Sequence, residues 1–411
     1  MTEHYDDLET RDPEAREAEL FERLQAQIAH AKRSAPAYGE RLREIDPREV
    51  GSRAALAGLP VTRKADLVSA QADAPPFGGL NAIEPGQAGR IFTSPGPIYE
   101  LEAPESDYRR MARALFAAGF RPGDIVHNSF AYHLTPGGWI LDWGCRALGC
   151  TVVAAGTGQS EQQAQAVAQL RPQGYSGTPD YLKIILDKGE ELGLDCSSIT
   201  KALVSGGALF PSLRQEYAER GVAVLQAYAT AELGLIAYES RADQGMVVDE
   251  EVILEIVRPG TGDPVAEGEV GEVLVTTLNE AYPMIRLATG DLSAVLPGQS
   301  PCGRTNQRIK GWMGRADQTT KVKGMFVHPQ QIAQIVKRHP EIHRARLVVG
   351  RTGENDVMTL RCEVSAQEEG LGEAIGRTLQ DVTKVKGTVE LVAAEELAND
   401  GLVIEDARSY D

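Results

Sequence analysis

Arg286-Leu287-Ala288-Thr289-Gly290-Asp291 is a Thr-Gly turn ending in a carboxylate, and Gly314-Arg315-Ala316-Asp317 and Lys323-Gly324 follow it closely. A fixed Asp can accept both hydroxyls of a ribose, each charge-assisted hydrogen bond contributing about 1.5–3 kcal/mol when water is excluded. An Arg downstream can hold the same sugar or its phosphate. The ordered set points to an enzyme that handles an adenylate. Taken singly, each piece reads equally well as a turn before an Asp and a later salt-bridging Arg, because short motifs recur by chance.

Such residues need a scaffold, and 411 residues exceed the size at which one core keeps growing. We therefore expect a large domain over residues 1–316 and a smaller one over 317–411. With 42% apolar and 25% charged residues the composition is that of a globular protein. The formal net charge of −17, with no clustered Lys and Arg, argues against a nucleic-acid partner. Residues Met1 to Asp12 are acidic and lack the apolar segment of a signal peptide, and no uncharged run is long enough to span a bilayer. The expectation is a cytoplasmic protein without a membrane partner. Cys145, Cys150, Cys196, Cys302 and Cys362 are odd in number and widely spread, which fits reduced thiols better than disulfides.

Apolar positions Leu20, Phe21, Leu24, Ile28 and Ala31 at helical spacing predict an amphipathic helix over Glu14 to Arg33. From Tyr108 to Ser205 helices alternate with short apolar strands: helix Met111–Ala118, strand Ile125–His127, helix Gly138–Leu148, strand Thr151–Ala154, helix Tyr181–Leu192 and strand Lys201–Ser205. This alternation predicts a parallel sheet with helices on its faces. After Ala237 the strands Val252–Ile256 and Glu272–Thr276, joined through Pro259-Gly260-Thr261-Gly262-Asp263-Pro264, predict antiparallel pairing. Beyond Lys310 two helices and three strands predict a small α+β domain.

Several further stretches carry a resemblance: Leu59-Pro60-Val61-Thr62-Arg63-Lys64-Ala65-Asp66-Leu67, Arg121-Pro122-Gly123-Asp124-Ile125-Val126-His127-Asn128 and Pro301-Cys302-Gly303-Arg304-Thr305. With the adenylate motifs in the same order, from about Leu24 to Val392, the chain resembles the phenylacetate-CoA ligase branch of the AMP-forming acyl-adenylating enzymes. The resemblance implies an α/β fold: a large N-terminal domain with parallel sheets flanked by helices and a β-rich subdomain, plus a small mobile C-terminal α+β domain. It implies ATP or AMP, Mg²⁺ and CoA as cofactors or co-substrates, a small carboxylic acid as substrate, and a homodimer. A carboxylate attacks the α-phosphate of ATP, and CoA then displaces AMP from the acyl-adenylate.

Carried over residue by residue, Asp291 matches the ribose-binding Asp, Arg315 the Arg after it, and Asp317 the hinge. Glu232, closing Tyr228-Ala229-Thr230-Ala231-Glu232, matches the carboxylate associated with Mg²⁺, and Tyr228 would lie against the adenine with Thr230 nearby. Ser205-Gly206-Gly207 falls where the family presents backbone to the base, and Lys323 near the CoA tunnel. Thr93, Ser94 and Gly96 fall in the phosphate loop. Phe130, Tyr132, His133, Pro136 and Trp139 stand where the acyl group is held. Among these, His133 reads as either a partner for a carboxylate or thioester carbonyl or a packed, hydrogen-bonded histidine, and Trp139 would shorten the pocket if it faces inward.

Three places depart from the family pattern. The phosphate loop reads Thr93-Ser94-Pro95-Gly96-Pro97-Ile98-Tyr99-Glu100, where two prolines remove backbone donors and Glu100 places a negative charge where a triphosphate wants a positive one. Leu402 stands where the family carries a Lys that reaches the α-phosphate, and no Lys follows Lys386. Ser240, Val247 and Ser300 leave Cys302 without partners for a tetrahedral site, so no zinc is expected. These departures give the alternative expectation of a relative that has lost adenylation and uses preformed acyl-CoA or acyl-AMP, or of a non-catalytic nucleotide- or CoA-binding protein.

Overall fold

The computed structural model describes residues 3–94, 98–316, 318, 320–327, 329–352, 355–365, 370–393, 396–397 and 403–408. The chain divides into two compact units, Met1–Met313 and Gly314–Asp411. The division falls three residues ahead of the expected 316/317 boundary.

In the large unit, the helix Pro13–Ser34 buries the predicted stripe of Leu20, Phe21, Leu24, Ile28 and Ala31. Asp12 caps it by accepting from the N–H groups of Glu14 and Ala15 at 3.0 Å each. The alternating region builds one side of a nine-stranded sheet. Its parallel half runs Thr151–Ala154, Ile125–Asn128, Gly174–Gly177, Lys201–Val204 and Ala223–Thr230 in spatial order. Helices Gly137–Ala147, Ser160–Leu170, Pro179–Glu191 and Pro211–Glu219 supply the crossovers. The sheet turns antiparallel where Ala223–Thr230 meets Gly234–Tyr238. Open sheets of this kind place ligands at the carboxyl ends of their parallel strands.

A second sheet joins Thr62–Arg63, Leu287–Ser293, Gly271–Thr277 and Val252–Val257. The predicted antiparallel pair is there, with Val252 opposite Thr277. Thr62–Arg63 joins it in parallel, Thr62 opposite Leu287. A separate hairpin pairs Arg90–Thr93 with Tyr99–Glu102.

The small unit has its own core, built on Ile332, Ile335, Leu347, Leu360, Ile375 and Leu379. Helices Pro329–Arg338 and Leu371–Thr383 accompany a four-stranded sheet in the order Thr388–Val392, Asn355–Val364, Ile342–Thr352 and Ile404–Asp406. A short hairpin pairs Thr320–Val322 with Met325–Val327. Among the described residues no helix is long and apolar enough to cross a membrane.

Candidate active site

Asp291 owes its position to a bulge. Glu272 pairs with Leu292 and Leu274 with Ala288, so Val273 alone faces Thr289, Gly290 and Asp291. The extra residues leave the ladder and re-aim a side chain, as bulges do. Gly290 takes the turn at φ +75°, a conformation that glycine adopts without strain. The Thr289 hydroxyl locks it, donating to Val273 O at 3.0 Å and accepting from Asp291 N at 3.1 Å. Asp291 is 8% exposed. Its Oδ2 accepts from the Tyr228 hydroxyl at 2.8 Å and its Oδ1 from Trp312 Nε1 at 3.0 Å. These two bonds fix the orientation of the carboxylate.

Tyr228 lies near the end of the strand Ala223–Thr230, and Glu232 in the turn that follows. Gly234, at φ +72°, lets this turn close onto Arg109: a Cβ there would come within 2.7 Å of Arg109 O. The Thr230 hydroxyl steadies it by accepting from Leu233 N at 3.3 Å. Glu232 is buried and its Oε1 pairs with Lys64 Nζ at 2.8 Å, while its Oε2 has no hydrogen-bond partner among the described residues. Burial works to raise this carboxyl, but the attraction and hydrogen bond of Lys64 outweigh it and hold Glu232 below the ordinary glutamate value.

Lys64 is delivered by Arg286, the first residue of the adenylate motif. Arg286 is buried and forms a two-pronged pair with Glu255, 3.0 Å on each arm, while donating to the carbonyls of Ala57, Leu59 and Gly262. Thr62 donates from its backbone to Arg286 O at 2.9 Å and from its hydroxyl to Ile285 O at 2.9 Å. The Leu59–Leu67 segment is thereby fastened along the strand that carries Asp291. Neither Lys64, Arg286 nor Trp312 stands out by spacing, because their partners are remote in the chain.

Glu100, expected to bring a negative charge to the phosphate loop, is 0% exposed on the strand Tyr99–Glu102, and neither carboxyl oxygen has a hydrogen-bond partner among the described residues. Desolvation, with the nearby Glu232 charge adding to it, pushes this carboxyl well above the ordinary glutamate range against the opposing pull of Arg109 and Lys64. Arg109 links the two acids through backbone, donating to Glu232 O at 2.8 Å and to Leu101 O at 3.4 Å. At the head of this hairpin, Ser94 donates from both N–H and hydroxyl to Ile98 O, and Thr93 N to Leu134 O at 2.9 Å. Gly96, with Pro95 and Pro97, lies outside the described residues.

The residues expected at the acyl pocket lie near the Ser205-Gly206-Gly207 turn through Phe130. Ser205 N donates to Gly177 O at 3.1 Å, and positions for a Cβ on Gly206 and on Gly137 both fall 3.4 Å from the Phe130 ring. The Tyr132 hydroxyl accepts from Asn128 at 2.7 Å and donates to Asp142 at 3.2 Å, and its ring meets Trp139 edge-on at 5.2 Å. Pro136 is buried at the start of Gly137–Ala147. Trp139 donates to Tyr132 O at 3.1 Å and carries the Arg90 guanidinium 4.3 Å above its ring, a cation–π contact that the sequence did not reveal. His133 is exposed and its imidazole makes no hydrogen bond among the described residues, which removes the packed-histidine expectation.

Arg315 and Lys323 belong to the small unit. Lys323 and Gly324, at φ +49° and +84°, form its hairpin turn, with Lys323 N donating to Asp356 Oδ2 at 3.1 Å. Asp317 and Leu402 lie outside the described residues. Around Cys302, the Ser240 and Ser300 hydroxyls stand 3.0 Å from the thiol and Arg304 at 3.5 Å. No group of three or more His, Cys, Asp or Glu among the described residues is arranged to hold a metal.

The model of the AMP-binding enzyme family matches residues 128–279, a stretch that contains Phe130, Ser205, Tyr228 and Glu232. The phenylacetate-coenzyme A ligase of Thermus thermophilus is 32% identical, over 87% of this chain and 84% of the relative. The chain belongs to the phenylacetate-CoA ligase family. The Escherichia coli phenylacetate-coenzyme A ligase is 31% identical over 87% of this chain and 85% of its own length. A solved 2-hydroxyisobutyryl-CoA ligase, in complex with 2-HIB-AMP and CoA, superposes with a TM-score of 0.82 at 25% identity, covering 100% of this chain and 93% of that one. An amide bond synthetase from Marinactinospora thermotolerans, at 18% identity and TM-score 0.56, shares the fold. Membership makes the protein an AMP-forming acid–thiol ligase; these relatives do not favour the expectation that adenylation was abandoned.

Proposed function

We propose that this ligase activates an aryl or small acyl carboxylate with ATP and Mg²⁺ as the acyl-adenylate and passes the acyl group to CoA. The observation that carries the reading is the bulged Asp291, bonded by Tyr228 and Trp312, with Tyr228 on the strand that leads to Glu232 and that strand's parallel neighbour Lys201–Val204 leading into Ser205-Gly206-Gly207. Asp291 accepts the ribose hydroxyls, Tyr228 fixes the wall beside it, and the glycine turn offers backbone to the base. Phe130, Tyr132 and Trp139 wall the acyl group, as aromatic faces suit an aryl or small apolar acid.

The cation fits the residues present, because Glu232 Oε2 is buried and unpartnered. When bound, Mg²⁺ neutralises charge on the phosphate oxygens. Glu232 would hold it, with Lys64 placing a second positive charge alongside. The substrate carboxylate attacks the α-phosphorus and pyrophosphate leaves; the CoA thiolate then attacks the acyl carbon and AMP leaves. We assign Arg315 to the ribose and its phosphate, Lys323 to the CoA path, Asp317 to the hinge and exposed His133 to the acyl carbonyl. The acidic charge and the free cysteines support a cytoplasmic location, and the family supports a homodimer.

Pyrophosphate release with ATP, CoA and a panel of aryl and short-chain acids tests this reading. Release well above background with at least one acid is expected; background rates with all of them contradict it.

A further inference from the structure

We propose that Glu100 is a second carboxylate ligand, together with Glu232, for the divalent cation that accompanies the nucleoside triphosphate. The inference rests on the reading of Glu232 as the cation's carboxylate and adds a residue that this chain's own geometry supplies.

Three carboxyl oxygens, Oε1 and Oε2 of Glu100 and Oε2 of Glu232, lack hydrogen-bond partners among the described residues, and the two residues are neighbours: Arg109 bridges Glu232 O and Leu101 O, and the Glu232 charge acts on Glu100. Both residues are almost fully buried, at 0% and 3% exposure. A buried polar group without a partner costs about 1–3 kcal/mol, and more when charged. Native structures keep such groups where a function or an ion accounts for them. The cations that face the pair are otherwise engaged: Lys64 holds Glu232 Oε1 at 2.8 Å, and the Arg109 guanidinium donates to the carbonyls of Glu232 and Leu101. The remaining titratable neighbour, the Tyr282 phenol, accepts from Gln71 at 3.3 Å and donates to Tyr99 O at 3.4 Å. Glu100 itself receives no donor.

Magnesium is the ion such a set suits. It takes one or two carboxylates and completes its shell with water and substrate phosphates. Two acids with no group of three or more His, Cys, Asp or Glu arranged for a metal among the described residues match a site that the triphosphate completes. Glu100 follows Ile98 by two residues, on the strand Tyr99–Glu102 that comes after the Thr93-Ser94-Pro95-Gly96-Pro97 segment in sequence. That segment has two prolines and no Lys, so a cation held by two carboxylates would supply positive charge that the loop does not.

The test uses the full chain, Mn²⁺ as an electron paramagnetic resonance probe and a non-hydrolysable ATP analogue, with E100Q and E232Q compared with the parent. E100Q is expected to weaken Mn²⁺ binding in the presence of the analogue by about tenfold or more, with the melting midpoint and metal-free AMP affinity unchanged. Parent-like Mn²⁺ affinity in E100Q with a loss in E232Q overturns the role of Glu100 alone. Parent-like affinity in both overturns the reading of Glu232 as well. Should E100Q fail to fold, Glu100→Asp, which keeps the charge but withdraws it by one methylene, must show the loss in a folded protein; parent affinity there overturns the proposal.

Discussion

Two acidic corners of the large unit are built in opposite ways. Around Asp291 each carboxylate oxygen has a donor, from Tyr228 and Trp312, and a bulge locked by Thr289 sets the backbone. Around Glu100 and Glu232 three oxygens of two buried side chains are without hydrogen-bond partners among the described residues. The first corner is preorganised, as suits recognition of a neutral sugar whose hydroxyls must meet a fixed acceptor. The second is electrostatically incomplete, as suits a charge that arrives with the substrate. The two corners thus differ in whether their carboxylate oxygens have hydrogen-bond donors among the described residues.

Breaking the shared foundation should give the largest effect. Arg286 fastens the Lys64 segment to the Asp291 strand through a buried pair with Glu255, and removing one partner of a buried pair typically costs about 3–5 kcal/mol. Arg286→Ala is therefore expected to lower unfolding free energy by about that amount in urea titration. A change below about 1 kcal/mol would show that the two corners do not share this clamp.

The next perturbation sharpens the comparison by touching one corner only. Trp312→Phe keeps a ring but removes the donor to Asp291 Oδ1, and AMP affinity by calorimetry should fall about tenfold, equal to about 1.4 kcal/mol. Mn²⁺ affinity with the ATP analogue should change much less. Equal losses in both would mean that the corners are one network.

A smaller effect is expected at Cys302, remote in role from either corner. Burial raises this thiol, but hydrogen bonds from Ser240, Ser300 and Arg304 outweigh it and bring it to about 7. Because the thiolate is the nucleophile, alkylation by iodoacetamide should rise through a midpoint near pH 7 in the parent and at higher pH in Ser240→Ala. Burial pushes Cys145 well above the usual thiol range and Cys362 to about 12, so both should stay unmodified at neutral pH. A midpoint unmoved in Ser240→Ala would remove the hydroxyl from the account.

Much of the scaffold was legible because its signals are local. The stripe of Leu20, Leu24 and Ile28, the strand Thr388–Val392 and the alternation from Met111 to Val204 each follow from periodicity within one element. Thr62–Arg63 and Ile404–Asp406 were not legible, since both are short and gain their pairing from distant strands in parallel. Asp291 could be singled out from its turn, yet the Tyr228 and Trp312 bonds that orient it depend on tertiary packing. The burial of Glu100 was not legible either, because it comes from packing that the local pattern does not encode.

The most direct measurement is AMP affinity of the parent and of Asp291→Asn by calorimetry. Two charge-assisted bonds at about 1.5–3 kcal/mol each predict a loss of about a hundredfold or more, with the melting midpoint within a few degrees of the parent. Undiminished AMP binding by the folded Asp291→Asn protein would contradict the assignment of this carboxylate to the ribose.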